Sequence, residues 1–199
     1  RDFCLSRGLG DVYKRQQIFQ SGTYDVKNSR VLSKWKNLYE GIARANGVLQ
    51  NVDRCQMADE LKVQYKAEAK FMRALYYFTL MDFFGGVPIY DESVVVSKSY
   101  SDMKNAREPI EKVREFVLKD LAEAIDKLPE AWDKTNYGRA TKYAAIALTG
   151  KVYLYAKEYQ KALDSFKQVV ASGKYALYND YAGLFKPGGD ESSETVSYT

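Results

Sequence analysis

The stretch FMRALYYFTLMDFFGGVPIY, Phe71–Tyr90, carries the clearest structural signal in this sequence. Its first fourteen residues are apolar on nearly every side of a helix, apart from Arg73 and Asp82. Gly85-Gly86 and Pro88 then end the run, because glycine adopts the left-handed conformation at a helix end and proline cannot continue a helix. The pattern predicts a long helix that stops at this corner.

The same stretch excludes a membrane span and an active-site helix. Fourteen residues are too few, since a helix needs about 20 apolar residues to cross a bilayer. The titratable residues Glu68, Arg73 and Asp82 are too far apart in the sequence to form a catalytic cluster. A helix that is apolar all round is typical of a buried one. We therefore predict that Arg73 meets a carboxylate on a neighbouring helix, because an unpaired buried charge is strongly destabilising.

Three other segments carry helical signals. In SKWKNLYEGIARANGVLQNV and PIEKVREFVLKDLAEAIDKLP, apolar residues recur every three or four positions. The segment ATKYAAIALTGKVYLYAKEYQKALDSFKQVVASGKYAL is long enough for two helices. Ser33 is the predicted N-cap of the first helix, and Ala58 or Asp59 is the predicted start of the helix that contains Phe71–Phe84. Pro109 is the predicted first residue of the third helix. In the last segment, Thr141 is the predicted N-cap of its first helix and Gly173 the predicted end of its second.

Small and aromatic residues in the last segment follow the spacing of a tetratricopeptide unit. They are Gly150, Tyr153, Tyr159, Ala162 and Phe166. The small residues let two helices approach closely, and the rings fill the remaining gap. The predicted fold class is all-α, with antiparallel helix pairs of tetratricopeptide-like type and long irregular loops. Val94–Val96 is consistent with either a short strand or an extended loop.

The composition excludes several classes of function. The 199 residues include no histidine, the commonest general base and zinc ligand. The two cysteines, Cys4 and Cys55, lack CxxC spacing and indicate neither a zinc site nor a redox pair. The formal net charge is +4, but residues 1–16 hold four basic and two acidic residues and so supply half of it. The basic balance therefore does not indicate a nucleic-acid partner.

The opening RDFCLSRGLGDVYKRQ, residues 1–16, has no helical or strand period that joins it to the rest. It resembles the translated junction sequence found at the ends of proteins deduced from shotgun-assembled DNA. We predict that residues 1–16 are a non-native leader and that residues 17–199 form the helical domain.

The segment YKAEAKFMRALYYFTLMDFFGGVPIY resembles the signature of the SusD/RagB family, in which an alanine- and aromatic-rich helix ends in a Phe-Gly-x-Val-Pro corner. Three further segments resemble the family's other helices in the same order: WKNLYEGIARANGVLQNV, VLKDLAEAIDKLP and GRATKYAAIALTGKVYLYAKEYQKALDSFKQVVASGKYAL. The resemblance covers residues 17–199. Because complete members are far longer, it implies that this chain is the amino-terminal half of such a protein.

Members of this family are typically outward-facing lipoproteins of the outer membrane. They capture glycans for a SusC-like TonB-dependent transporter, without catalysis and without a cofactor for the capture. The resemblance implies the same function, partner and location for this protein. Cys4 follows Arg-Asp-Phe rather than the small residues of a lipobox, so the implied lipid anchor is absent from this chain.

The family has no fixed glycan-binding motif, so candidate ligand-binding residues follow from loop position and chemistry. Aromatic faces stack on sugar rings, and amides bind their hydroxyl groups. The candidates are Trp132, Asn136 and Tyr137 in the loop EAWDKTNYGR, with Tyr90 and Tyr100 at the edges of the irregular stretch before it. The alternative for Trp132 is a structural role, in which its ring anchors the loop to the helices.

Two other functions compete with glycan capture. A tetratricopeptide-like scaffold would bind a peptide or protein partner, although a solenoid needs about three units and the sequence shows one clear match. A glycosidase would use paired carboxylates. The acidic residues of the third predicted helix alternate with lysines and predict a solvated face instead; they are Glu111, Glu115, Asp120 and Glu123.

Overall fold

The computed structural model of the protein describes residues 21–22, 28–94, 106–176 and 182. Within these ranges the chain forms five α-helices, two short 3-10 turns and no β-strand. The helices are α1 (Ser29–Asn51), α2 (Asp59–Phe84), α3 (Ile110–Lys127), α4 (Lys142–Tyr155) and α5 (Tyr159–Ala171). The prediction of an all-α fold is confirmed.

The chain divides into two compact units, Arg1–Asn37 and Leu38–Thr199. In the first unit, Asn28 caps the start of α1, since its Oδ1 accepts a hydrogen bond from the backbone N–H of Arg30 at 3.0 Å. The predicted N-cap at Ser33 is wrong, because Asn28 starts the helix one turn earlier. The predicted non-native leader lies outside the described residues.

In the second unit the helices pack in chain order. Helix α2 lies against α3, α3 against α4, and α4 against α5. The largest side chains that are fully enclosed in this core are Tyr77, Ile42, Leu80, Leu121, Val87, Val113, Val117 and Val152. All but Ile42 and Val87 come from α2, α3 and α4. Because α3 packs against both α2 and α4, it lies in the middle of these three helices.

The corner after α2 forms as predicted. The helix ends at Phe84, and the N–H of Gly85 donates to the carbonyl of Met81 at 3.0 Å. Gly85 has φ of +70°, a region that favours glycine. The helix is buried along most of its apolar length, but Phe83 near its end is 64% exposed. In the described ranges no helix is both long and apolar enough to span a membrane.

Helices α4 and α5 form the predicted tetratricopeptide-like pair, but the prediction that Tyr159 fills the gap between them is wrong, because its ring is 63% exposed. A Cβ atom at Gly150 would lie 2.7 Å from the ring of Phe166, so glycine permits the close approach of the two helices. Ala162 on the facing side of α5 is 2% exposed. Thr141 caps α4 as predicted, since its hydroxyl accepts from the N–H of Ala144 at 3.1 Å.

Arg73 is the centre of a buried polar cluster. Its Nε and Nη2 donate to the two carboxylate oxygens of Asp120 on α3 at 2.7 and 2.8 Å. Its Nη1 donates to Asn46 Oδ1 at 2.7 Å and to Glu92 Oε2 at 2.6 Å. The predicted carboxylate partner is confirmed. The prediction that Asp120 lies on a solvated face is wrong, because its side chain points inward and is 3% exposed.

Helix α1 holds the segment that follows the corner. The side-chain amide of Asn46 donates to the carbonyl of Tyr90 at 3.0 Å, and that of Gln50 donates to the carbonyl of Glu92 at 2.6 Å. These bonds satisfy backbone groups that would otherwise need a strand partner. Val94 lies in a bend, and the other two residues of the possible strand lie outside the described residues.

Candidate functional site

The loop between α3 and α4, residues 129–141, contains three of the predicted ligand-binding residues. Its centre is the 3-10 turn Lys134–Asn136, which Asp133 caps. The carboxylate Oδ1 of Asp133 accepts from the hydroxyl of Thr135 at 2.7 Å and from the backbone N–H of Asn136 at 2.9 Å. These hydrogen bonds hold the pKa of Asp133 below its usual range. The loop therefore has a defined shape around an ionised carboxylate.

Trp132 lies half-buried against the second half of this loop. Its Nε1–H donates to the carbonyl of Ala140 at 2.8 Å, which satisfies the indole nitrogen. The guanidinium of Arg139 lies over the ring at 4.0 Å from its centroid, a cation–π contact. One face of the ring is thus covered. These contacts favour the structural role of Trp132 over ligand stacking.

Arg139 joins the loop to α2. Its Nε and Nη2 donate to the two carboxylate oxygens of Glu68 at 3.2 and 2.5 Å, and its Nη1 donates to Asn136 Oδ1 at 2.8 Å. The guanidinium also lies 5.4 Å from the ring centroid of Tyr65 on α2. The hydrogen bonds with Glu68 raise the pKa of Arg139 above its ordinary value, so the cation is permanent.

Tyr137 is the predicted residue in this loop that is most accessible. It is 48% exposed and precedes Gly138, whose φ of +89° turns the chain back toward α4. Asn136, in contrast, uses its amide to hold the loop: Oδ1 accepts from Arg139 and Nδ2 donates to Asp133 at 3.0 Å. The loop thus exposes the ring of Tyr137, and the side chains of Asn136 and Arg139 stabilise the loop around it.

Tyr90 lies in the core and is 7% exposed. Its backbone N–H donates to the hydroxyl of Tyr77 at 2.7 Å, and its ring meets that of Tyr39 edge-on at 5.7 Å. The prediction of Tyr90 as a ligand contact is not supported, because a buried ring has no face to offer a sugar. Tyr100 lies outside the described residues.

A groove of about 500 Å³ runs between α1 and α2 next to this loop. Two of its lining residues, Tyr65 and Glu68, also contact Arg139. Most of its wall is apolar and includes Val48, Val52, Met57, Ala69, Met72 and Tyr76. The loop and the groove therefore form adjoining surfaces with different chemistry, one polar with an exposed ring and one mainly apolar.

Tyr65, Glu68 and Arg139 carry no signal in the sequence that predicts a place in this site. Glu68 and Arg139 are 71 residues apart, and neither segment carries a local pattern that identifies the other as its partner. The described ranges contain no group of histidine, cysteine, aspartate and glutamate side chains that could hold a metal ion.

Residues 9–154 match the model of the SusD-like family, described as starch-binding and associating with the outer membrane. The chain belongs to this family. The resemblance seen in its helical segments is thereby confirmed. The match begins inside residues 1–16, and the assignment of those residues as a non-native leader stays a prediction.

Two proteins illustrate the similarity of this chain to other SusD-like proteins, one in sequence and one in structure. A SusD-like protein of Formosa agariphila is 28% identical over 196 residues, which cover 98% of this chain and 34% of the relative. The structure of a laminarin-binding SusD-like protein has a TM-score of 0.77 and 31% identity, covering 83% of this chain and 36% of that chain.

A further similar structure is surface glycan-binding protein A from Bacteroides thetaiotaomicron in complex with laminarihexaose. Its TM-score is 0.71 at 27% identity, covering 82% of this chain and 34% of that chain. The chain thus spans about a third of the length of these three relatives, rather than the half that the resemblance implied.

Proposed function

We propose that the complete protein is a non-catalytic glycan-binding component of a TonB-dependent uptake system at the outer membrane. It captures an oligosaccharide or polysaccharide for a SusC-like transporter. The observation that carries this proposal is the family match over residues 9–154. The shared fold with a laminarin-binding relative supports it. Capture by ring stacking and hydrogen bonds requires no cofactor.

In this chain the loop of residues 129–141 contributes Tyr137 to the binding surface. An exposed tyrosine offers an apolar face to a sugar ring and a hydroxyl at its edge. Asp133, Lys134 and Thr135 are exposed beside it and supply acceptors and donors for sugar hydroxyls. Trp132 and Asn136 contact Arg139 and so stabilise the loop that carries Tyr137, and the remaining two thirds of the protein completes the surface.

The proposal is tested with the full-length protein in native affinity electrophoresis against starch and laminarin, followed by calorimetric titration of any ligand that retards it. Replacing Tyr137 with alanine should weaken binding about tenfold, the magnitude of one aromatic stacking contact. The matched control is Tyr159→Ala, which removes a 63% exposed ring from α5, outside the loop. If both variants bind the glycan with the affinity of the parent protein, Tyr137 does not contribute to glycan binding.

The transporter partnership and the lipid anchor are tested by resequencing the source DNA across both ends of the reading frame. A leader with a lipobox and an adjacent transporter gene are the expected result. The same sequence shows whether residues 1–16 are native. A frame that starts at Arg1 with no transporter gene beside it would contradict the lipoprotein assignment.

A second candidate function is a scaffold that binds a peptide or protein. The observation that favours it is the mainly apolar groove between α1 and α2, because such a groove suits apolar side chains better than sugar hydroxyls. A full-length protein that binds neither starch nor laminarin would favour this alternative.

A further inference from the structure

We infer that Arg139 is a positioning residue for glycan capture: its contacts with Glu68, Trp132 and Asn136 hold the loop in the shape that presents Tyr137. This inference rests on the proposed function. It concerns a residue that would act through the loop and need not touch the sugar.

The contacts of Arg139 point in three directions. The guanidinium donates edge-on to both oxygens of Glu68, donates from Nη1 to Asn136 at 2.8 Å, and covers the Trp132 ring with its face at 4.0 Å. A planar guanidinium can make these contacts together, whereas a lysine ammonium cannot both stack and bind a carboxylate bidentately. Asn136 and Arg139 flank the short stretch that carries Tyr137.

Among the described residues, two ion pairs connect this loop to residues outside it, and they differ in burial. Glu68 and Arg139 have side chains that are 20% and 25% exposed, and the pair is bidentate. Glu130 and Lys174 meet at 2.6 Å, but their side chains are 49% and 38% exposed. Exposed single-contact pairs hold a geometry weakly, while a partly buried bidentate pair is stronger and more specific. The Glu68–Arg139 pair therefore restrains the loop more strongly than the Glu130–Lys174 pair does.

A loop that is already in its binding shape loses less conformational entropy when the ligand arrives. Releasing Arg139 frees the stretch that carries Tyr137 and lowers affinity without removing any atom that contacts the sugar. We expect Arg139→Met to weaken glycan binding about tenfold, and Arg139→Lys, which retains the charge beside Glu68, to recover part of that loss.

The experiment uses the full-length protein and three variants: Arg139→Met, Arg139→Lys and, as the matched control, Lys174→Met. Amide hydrogen exchange over residues 130–141 is measured without glycan, and laminarin affinity is measured by calorimetry. Faster exchange and weaker binding in Arg139→Met, with Lys174→Met like the parent protein, support the inference. If Arg139→Met fails to fold, Arg139→Lys shows the same changes to a smaller extent.

Unchanged exchange in the loop of both Arg139 variants would overturn the positioning role, whatever the affinity. Faster exchange with unchanged laminarin affinity would overturn its link to capture. Failure of the parent protein to bind any polysaccharide in a screen that includes starch and laminarin would instead overturn the proposed function, while the exchange measurement still decides whether Arg139 holds the loop.

Discussion

Replacing Arg73 with methionine leaves the buried Asp120 carboxylate without the cation that hydrogen-bonds to it. Both residues are 2% exposed, and the carboxylate accepts two hydrogen bonds from Arg73 at 2.7 and 2.8 Å. Methionine fills part of the vacated space but offers no donor. The dominant effect is therefore a stranded buried charge rather than a cavity.

The expected loss of stability follows from this burial. Removing one partner of a buried ion pair costs roughly 3–5 kcal/mol. Glu92 also loses a donor, but its side chain is 46% exposed and water replaces the hydrogen bond, so it adds little. In a domain of this size each kcal/mol lowers Tm by about 2–4 °C, so we expect a fall of roughly 10 °C.

Thermal and urea unfolding of the purified full chain, followed by far-UV circular dichroism, measure this effect. The control is the double variant Arg73→Met/Asp120→Leu, which replaces the pair with apolar side chains and should recover most of the loss. A single variant within about 1 kcal/mol of the parent would refute the reasoning, since ordinary surface substitutions cost that little. So would a double variant that is no more stable than the single one.

Two further predictions concern the corner and the segment after it. Gly86→Ala should lower the free energy of unfolding by roughly 1–3 kcal/mol, because its Cβ would collide with the backbone carbonyl oxygen of Glu108. Gly47→Ala in α1, where a Cβ meets no atom within 4 Å, should raise the free energy of unfolding by about 0.5–1 kcal/mol. Urea unfolding measures both variants, and equal changes in the free energy of unfolding would contradict the close contact at Gly86. Burial alone would raise the pKa of Glu92, but the hydrogen bond from Arg73, a backbone hydrogen bond and the positive charge of Arg73 together outweigh it, and the pKa lies below the ordinary value of 4.5. The ionised Glu92 therefore stabilises the fold when the pH is above 4.5, and this contribution is lost as the pH falls through the lowered pKa. In Glu92→Gln, the free energy of unfolding should fall less steeply as the pH is lowered through this range. An identical acid slope in both proteins would count against the ion pair.

Much of the fold could be predicted from local sequence. Apolar residues at helical spacing located the helices, and Gly85, Pro109 and Thr141 marked boundaries that the structure confirms to within a residue. The error at Ser33 arose because Asn28, five residues earlier, has equally good capping chemistry. Local signals of this kind depend on neighbours within about one helical turn.

The candidate site was less predictable. The loop and its exposed Tyr137 follow from composition, but the roles of its residues do not. Trp132 and Tyr90 have the same aromatic chemistry as Tyr137, and only their exposure in the folded chain separates them: Trp132 is half-buried, Tyr90 is buried and Tyr137 is 48% exposed. Asp120 likewise lies among charged neighbours in the sequence and faces the core in the structure.

By itself, the sequence determined the order of the helices, the corner after the buried helix and the family, because periodicity, glycine and proline act through steric contacts between near neighbours. Which charged groups form pairs depends on the packing of the folded chain. Arg73 and Asp120 are 47 residues apart, and Glu68 and Arg139 are 71 apart. Such pairs form because the packed helices exclude water around them, and burial makes a charge without a partner costly.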